Sequence, residues 1–338
     1  MSEDDYAAWT KRVSPLPGDT LFSYETRIGQ VGYWDFEDPA ALGRRMGLLR
    51  PAAEVIDPKY LTLSYLGSQF QDVISENTVR GGTVERISIA DMPDWPLVVP
   101  ELAEQCRISK FFRTLDDLIA INQRKVEELK RLKQAYLQQL FPAPDQVAPR
   151  LRFLDFDHPW TQCKLGDSDI AQFINGRAFS QDELLESGKY PILRVGNFYT
   201  NDSWYFSDLE LPEKNYANNG DLLYTWAASF GPHIWHGGKV IFHYHIWKVL
   251  LGPLLSRNFA LQVLINDRDD LLRRTHGSTM IHVTKADMES KEVALPSVPE
   301  QNQIGEFFQV LDDLIAVNQQ KTVLLERIKQ GYLQQMFI

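Results

Sequence analysis

Leu115–Phe141 reads LDDLIAINQRKVEELKRLKQAYLQQLF, and Leu311–Phe337 reads LDDLIAVNQQKTVLLERIKQGYLQQMF, the same segment 196 positions later. Pro100–Pro142 and Pro296–Ile338 share 24 of 43 residues at that offset. The likeness runs upstream without a gap, since Gly81–Met92 (GGTVERISIADM) lies over Gly277–Met288 (GSTMIHVTKADM). Farther back, GDTLFS at Gly18 answers GDLLYT at Gly220, now offset by 202. A tandem duplication of this kind points to two similar units, and antiparallel packing of the repeated segments would relate them by a pseudo-two-fold axis.

Within the repeat, apolar residues fall at heptad spacing. Ile108, Leu115, Leu129 and Tyr136 share one seam position, and Phe111, Leu118 and Leu132 the other. The second copy repeats this with Ile304, Leu311, Leu325, Tyr332 and with Phe307, Leu314, Ile328. A stripe sustained over about five heptads predicts helix pairing. An ordinary amphipathic helix packed on its own domain is the plainer alternative. Asn122 and Asn318 interrupt the stripe near the helix centres, and a polar seam residue is best explained by control of register or orientation. The expectation is an antiparallel pair in which the two Asn come within about a turn of each other. At about 1.5 Å per residue, each rod would span roughly 60 Å.

FPAPDQVAPR, from Phe141 to Arg150, carries three prolines, so the first helix should stop near Phe141 and a linker should follow. YPILRVGNF, DLLYTW and KVIFHYHIWKVLL have the composition of strands, while DELLES and RNFALQVLIND read as short helices. The resulting domain plan is 1–99, a globular domain; 100–141, the first long helix; 142–150, the linker; 151–295, a second globular domain; and 296–338, the second long helix. Residues 151 to about 203 have no counterpart in the first copy, which begins in mid-domain. A preceding segment, or a truncated or recombined first domain, is therefore expected.

Lys and Arg number 35 against 45 Asp and Glu, giving a net charge of −10. That sign opposes phosphate binding by the chain as a whole, so any nucleic-acid contact must rest on local patches. Cys106 and Cys163 stand in unrelated contexts and imply neither a disulfide framework nor a cysteine zinc site. This usage, with an acidic N-terminus and no long apolar run, suits a cytoplasmic protein that does not meet a membrane.

The central and C-terminal helix blocks, with the domain opening LRFLDFDHPWTQCKLGD at Leu151, together resemble the specificity subunit of type I restriction-modification systems. Leu151, Arg152, Phe153, Trp160, Lys164, Leu165 and Gly166 match that family's usual start of a target recognition domain, and INGRAF, YPILRVGNF and GDLLYTW look like its recurring elements. The resemblance covers nearly the whole chain. It implies an α+β fold class: two globular α+β target recognition domains, the first incomplete, separated by two long antiparallel coiled-coil helices. It further implies that each domain reads half of a split site on double-stranded DNA and that the helices set the spacer. Two methyltransferase (modification) subunits would dock on the assembly, and motor-nuclease (restriction) subunits would join them. The chain itself would be non-catalytic and without cofactors; S-adenosylmethionine, ATP and Mg would belong to the partners.

Candidate DNA-contacting residues follow from local composition. Arg268, Arg273, Arg274, His276, Ser278, Thr279 and Lys285 crowd one stretch, with no carboxylate from Leu271 through Ala286. Arginine and hydroxyl side chains serve phosphates and base edges, and Gly277 permits close backbone approach. The first copy offers Arg80, Thr83 and Arg86 in the matching place, and Arg177, Arg194 and Asn197 are further candidates. A solvated turn ahead of the helix, or salt-bridged scaffold in the case of Arg194, would account for the same residues. His233, His236, His243 and His245 lie within 13 residues, with His243 and His245 expected on one strand face. They lack interleaved carboxylate or cysteine ligands, so half-buried histidines or a base-reading cluster fit better than a metal site. No phosphate loop, dinucleotide fingerprint or nucleophile elbow is present.

Overall fold

The computed structural model describes residues 3–11, 13–82, 84–143, 146–199, 201–227, 229–274 and 283–337. In chain order the elements are α1 (Glu3–Thr10), β1 (Thr20–Ser23), β2 (Val31–Tyr33), β3 (Met46–Leu49), α2 (Pro58–Leu66), α3 (Ser68–Glu76), β4 (Thr78–Val79), β5 (Arg86–Ile87) and α4 (Leu102–Leu140). There follow β6 (Thr161–Lys164), β7 (Ala171–Asn175), β8 (Tyr190–Leu193), β9 (Tyr205–Ser207), β10 (Tyr216–Ala217), β11 (Leu222–Thr225), β12 (Gly231–Ile234), β13 (Val240–Phe242) and β14 (Ile246–Leu251). The chain closes with α5 (Arg257–Arg274), α6 (Lys285–Ser290), β15 (Glu292–Leu295) and α7 (Val298–Met336). Among the described residues, no helix is long and apolar enough to cross a membrane.

Two compact units emerge, and they do not follow chain order. One comprises Met1–Val126 with Val317–Ile338, the other Glu127–Ala316, so each takes one end of each long helix.

In the first unit β1 lies between β2 and β3, antiparallel to both. Phe22 from this sheet packs with Tyr65 of α2 and Phe70 and Ile74 of α3. Asp57 starts α2 by accepting from the Tyr60 amide at 2.9 Å, and Pro58 occupies the first turn, where its missing N–H costs nothing. Along the helices, Phe111 meets Tyr332 edge to face at 5.0 Å, Lys329 pairs with Asp116, and Gln123 donates to Glu326 at 3.4 Å. Numbers rise on α4 as they fall on α7, so the helices run antiparallel.

The second unit contains two four-stranded sheets. One has the order β12-β11-β14-β7, all antiparallel; the other, β10-β13-β8-β9, has a parallel β13–β8 pair. A two-stranded ladder, β15-β6, joins the start of the unit to its end. Here Tyr136 meets Phe307 edge to face at 4.9 Å and Lys133 bonds both oxygens of Asp312, again antiparallel. Tyr136 and Phe307 are the repeat counterparts of Tyr332 and Phe111, and Lys133 and Asp312 those of Lys329 and Asp116. The α+β class and the antiparallel helix pairing therefore stand as the sequence implied.

One of the two seam positions is displaced by a residue. Ile108, Leu115, Asn122, Leu129 and Tyr136 are covered or half-covered, but Phe111, Leu118 and Leu132 are 37%, 39% and 43% exposed. The inner partners are instead Gln105, Phe112, Ile119, Val126, Lys133 and Leu140. The second copy agrees in part: Phe308 is fully buried, Leu311 is buried and Leu325 half-buried, while Leu314 is 42% exposed; but Phe307 is half-buried and Tyr332 is 42% exposed. Spacing alternates between three and four residues either way, so the coiled-coil pattern survives with a different inner edge.

Several local expectations also change. DELLES forms only a single 3-10 turn at Gln181–Glu183, and YPILRVGNF leaves β8 after Leu193 for another at Val195–Phe198. KVIFHYHIWKVLL divides into β13 and β14, with His243–His245 turning between them, so these two histidines do not share a strand face. RNFALQVLIND extends to the 18 residues of α5.

Candidate nucleic-acid interface

The turn at His243–His245 gathers candidates that lie far apart in the chain. Gly176 lets it form: a Cβ there would come within 2.2 Å of the His243 carbonyl oxygen. The close approach allows the Arg177 amide to donate to Phe242 at 3.0 Å and the Tyr244 amide to donate to the Arg177 carbonyl at 2.9 Å. From the other side, the His243 amide donates to the Leu193 carbonyl at 2.9 Å, which brings Arg194 beside the turn.

Each arginine is held by partners. Arg177 pairs with Glu183 and lies 5.7 Å from the Phe179 ring, itself stacked parallel to His243. Arg194 donates to the Ser203 carbonyl at 3.0 Å and sits 4.4 Å over Tyr205. Asn197 is committed to the backbone: its oxygen accepts from the Arg194 amide, and its nitrogen donates to the Asn201 and Ser203 carbonyls. It shapes the loop that presents Arg194.

A ladder of aromatic rings reaches the turn from the neighbouring sheet. Tyr224, Trp247 and Trp226 stack in sequence at 5.8 and 6.0 Å, and the ladder ends at the His245 edge, 5.0 Å from Trp226. Trp226 is fixed by donating its indole N–H to the Tyr244 carbonyl at 2.8 Å. Tyr199 and Tyr244 are exposed. Tyr199, Trp226 and Tyr244 were absent from the sequence candidates; the aromatic neighbours of the histidines, in YTW and HYH, were the available signal.

Two histidines are held neutral. His233 stacks on Phe198 at 4.1 Å, and burial, with Arg268 adding, lowers its pKa to about 4. His243 is likewise lowered to about 4 by burial, by His245 and by Arg194. A neutral imidazole offers one donor and one acceptor, the combination suited to base edges rather than to phosphate. Gly231, at φ +149°, leaves room for Arg268 of α5 beside β12, since a Cβ there would meet the Arg268 side chain at 2.9 Å. Among the described residues, no three His, Cys, Asp or Glu side chains form a set that could hold a metal ion.

The remaining candidates are dispersed. Arg273 pairs with Asp270 on α5, and Lys285, opening α6, pairs with Glu289 at 3.4 Å. Arg274 ends α5. His276, Ser278 and Thr279, with Thr83 of the first copy, lie outside the described residues. In the first unit, Arg80 donates to the Ser75 hydroxyl at 3.1 Å, and Arg86 stands exposed on β5, its backbone in an isolated antiparallel β-bridge with Glu25.

Comparison with known proteins adds a family. The model described as the type I restriction modification DNA specificity domain matches residues 11–131 and again 158–327. A Methanocaldococcus jannaschii protein, provisionally named the type I restriction enzyme MjaX specificity subunit, is 23% identical over 330 residues, covering 93% of this chain and 76% of its own. The S subunit of a type I restriction-modification system from M. genitalium has a similar fold, with a TM-score of 0.59 at 15% identity over 96% of this chain and 83% of its own. The HsdS subunit of Thermoanaerobacter tengcongensis gives 0.51 at 17% identity, covering 95% of this chain and 80% of its own.

Proposed function

The chain belongs to the type I restriction-modification DNA specificity family, and from that premise we propose that it reads a two-part DNA site and carries the methyltransferase subunits on its helices. The observation that carries this reading is the duplication of contacts. Lys133–Asp312 and Tyr136–Phe307 in one unit reappear as Lys329–Asp116 and Phe111–Tyr332 in the other. Two equivalent units joined through the same pair of helices suit a split recognition sequence, as two-fold readers suit paired half-sites.

In the second unit, the His243 turn is the reading surface. Arg177 and Arg194 meet phosphates or guanine edges, the neutral His243 meets a base edge, and Tyr199 and Tyr244 offer stacking faces. Arg273 and Arg274, with His276, Ser278, Thr279 and Lys285, would be further contacts by residue type; Arg80 and Arg86 would serve the first unit. Exposed apolar side chains on the helices, Leu118 and Ile328 in the first unit and Leu132 and Leu314 in the second, offer surface suited to partner helices. The partners would be two methyltransferase subunits, with motor-nuclease subunits for restriction. Binding of S-adenosylmethionine, ATP and Mg would fall to them.

Sequencing a methylated genome tests the proposal. A bipartite adenine motif that disappears when the gene is deleted supports it. An unchanged methylome would favour an interaction scaffold that never touches DNA, a reading that the net charge of −10 accommodates.

A further inference from the structure

The two arginines that flank the His243 turn are held in different electrical states. Arg177 donates from Nη2 to Oε1 of Glu183, and the other oxygen of that carboxylate accepts from the Ser180 amide at 3.0 Å. The carboxyl is held below the usual carboxylate range, by the Ser180 amide first and by Arg177 after it, so it is charged at neutral pH. Arg177 and Glu183 together therefore carry no net charge. Arg194 has no carboxylate partner among the described residues: its Nη2 donates to the Ser203 carbonyl at 3.0 Å and to the Ser203 hydroxyl at 3.3 Å, both neutral groups. Its positive charge is felt at the turn, where it helps, after burial and His245, to lower the pKa of His243.

Both side chains are also fixed in direction. The Arg177 guanidinium lies 5.7 Å from the Phe179 ring and that of Arg194 lies 4.4 Å from Tyr205, and Nε of each is buried without a hydrogen-bond partner. The backbone of Arg177 is tied to the turn at its amide, by Phe242, and at its carbonyl, by Tyr244. What Arg177 has left to donate is Nη1 and the second hydrogen of Nη2, a pair that matches O6 and N7 of guanine. A phosphate is the poorer ligand for it, because attraction to phosphate is Coulombic and the Glu183 carboxylate cancels it. A neutral base acceptor is not repelled in that way. Arg194, with its charge intact, has the opposite preference.

We propose that the turn divides its work: Arg177, masked by Glu183, reads a guanine in the half-site of the second unit, while Arg194 neutralises a DNA phosphate. Glu183 is a positioning residue, which fixes the Arg177 fork and keeps it from binding phosphate at any sequence. The inference rests on the DNA-reading proposal above and adds which chemical group each arginine meets.

The test uses the complex of this chain with its methyltransferase subunits and a library of DNA duplexes randomised over the site. Retained duplexes are sequenced, and affinities are measured at several salt concentrations. The wild type should retain a motif containing a guanine that depends on Arg177. Arg177→Gln combined with Glu183→Gln removes a pair of zero net charge; it should lower the preference for one G·C pair about tenfold or more and leave the salt slope unchanged. Arg194→Gln should weaken binding to every duplex alike and reduce the salt slope by about one. Glu183→Gln alone unmasks Arg177, so it should tighten binding to all duplexes, steepen the slope by about one and blunt the same G·C preference. Misfolding cannot tighten binding, so this arm is not confused with loss of structure. A double variant that keeps the full motif overturns the inference, as does Glu183→Gln with an unchanged slope. A wild type that retains no motif would overturn the DNA-reading proposal and the inference together, whereas a selective wild type whose selectivity survives the double variant overturns the inference alone.

Discussion

Lys133 bonds both carboxylate oxygens of Asp312, at 2.6 and 2.8 Å, and joins the C-terminal part of one long helix to the N-terminal part of the other. Lys133 is 15% exposed at its side chain, so the pair is better shielded than an ordinary surface ion pair. Asp312→Lys should lower the denaturation midpoint, and adding Lys133→Asp should restore part of the loss. The coupling, measured by a double-mutant cycle in urea, should be about 0.5–1 kcal/mol. Additive effects would show that the bond contributes no stability.

Asn122 is 4% exposed in the helix seam, with its amide donating to the Leu118 carbonyl at 2.6 Å; Asn318 is 7% exposed. A leucine at Asn122 exchanges a buried amide for apolar contact. Asn122→Leu should therefore raise the denaturation midpoint, by about 1 kcal/mol of stability. A drop in stability would mean that the amide is fully satisfied and favourable where it stands.

Gly176 has no room for a methyl group, with the His243 carbonyl oxygen 2.2 Å from where a Cβ would stand. Gly176→Ala should destabilise the second unit by about 1–3 kcal/mol and displace the His243 turn. Thermal unfolding reads the first effect. Loss of methylation at the proposed DNA site, with assembly intact, reads the second.

The histidines make stability depend on pH. His233 and His243 have folded pKa values near 4 against an ordinary 6.5. As pH falls below 6.5, the unfolded chain takes up protons that the folded chain refuses until pH is near 4. Stability should thus decline from pH 6.5 downward, and should be unaffected by these groups above it. His233→Gln should flatten the decline between pH 6.5 and 5, before carboxylates titrate. Midpoints measured across that range decide it, and parallel curves for the two proteins would refute the shift.

Among the DNA-contact candidates at the end of α5, Arg273 already has Asp270, as Arg177 at the turn has Glu183. Arg273→Ala combined with Arg274→Ala should weaken DNA binding by the assembled complex without affecting assembly. An unchanged affinity at moderate salt would leave both arginines with a structural role only.

Much of the helical pairing was legible because a repeat compares the chain with itself. Ile108, Leu115, Asn122 and Leu129 fall every seven residues in both copies, and those positions are covered or half-covered. The other edge was not legible, since Phe111 and Phe112 are adjacent and equally apolar. Phe112 is wholly buried and Phe111 is not, a choice made by the facing helix rather than by local sequence. The interface around His243 was visible only in parts. Arg177, Arg194 and the histidines stood out as residue types, but the 2.2 Å approach at Gly176 that unites them depends on tertiary contact. Tyr199 and Trp226 passed unnoticed because aromatic residues in strand-like segments ordinarily signal core.

Gln105 and Gln301 resolve an ambiguity that the seam leaves open. A heptad pattern tolerates displacement by seven residues, because similar side chains then meet again. Gln105 accepts from the Asp57 amide and donates to the Val55 and Pro100 carbonyls; Gln301 accepts from the Ser256 amide and donates to the Leu254 and Pro296 carbonyls. Each helix is thereby pinned at its first turn to the loop of its own unit. Sliding by a heptad would tear out the two hydrogen bonds that each pin makes to a separate loop, to Asp57 and Val55 or to Ser256 and Leu254, so phase along the rods is locked at their starts and not along their lengths.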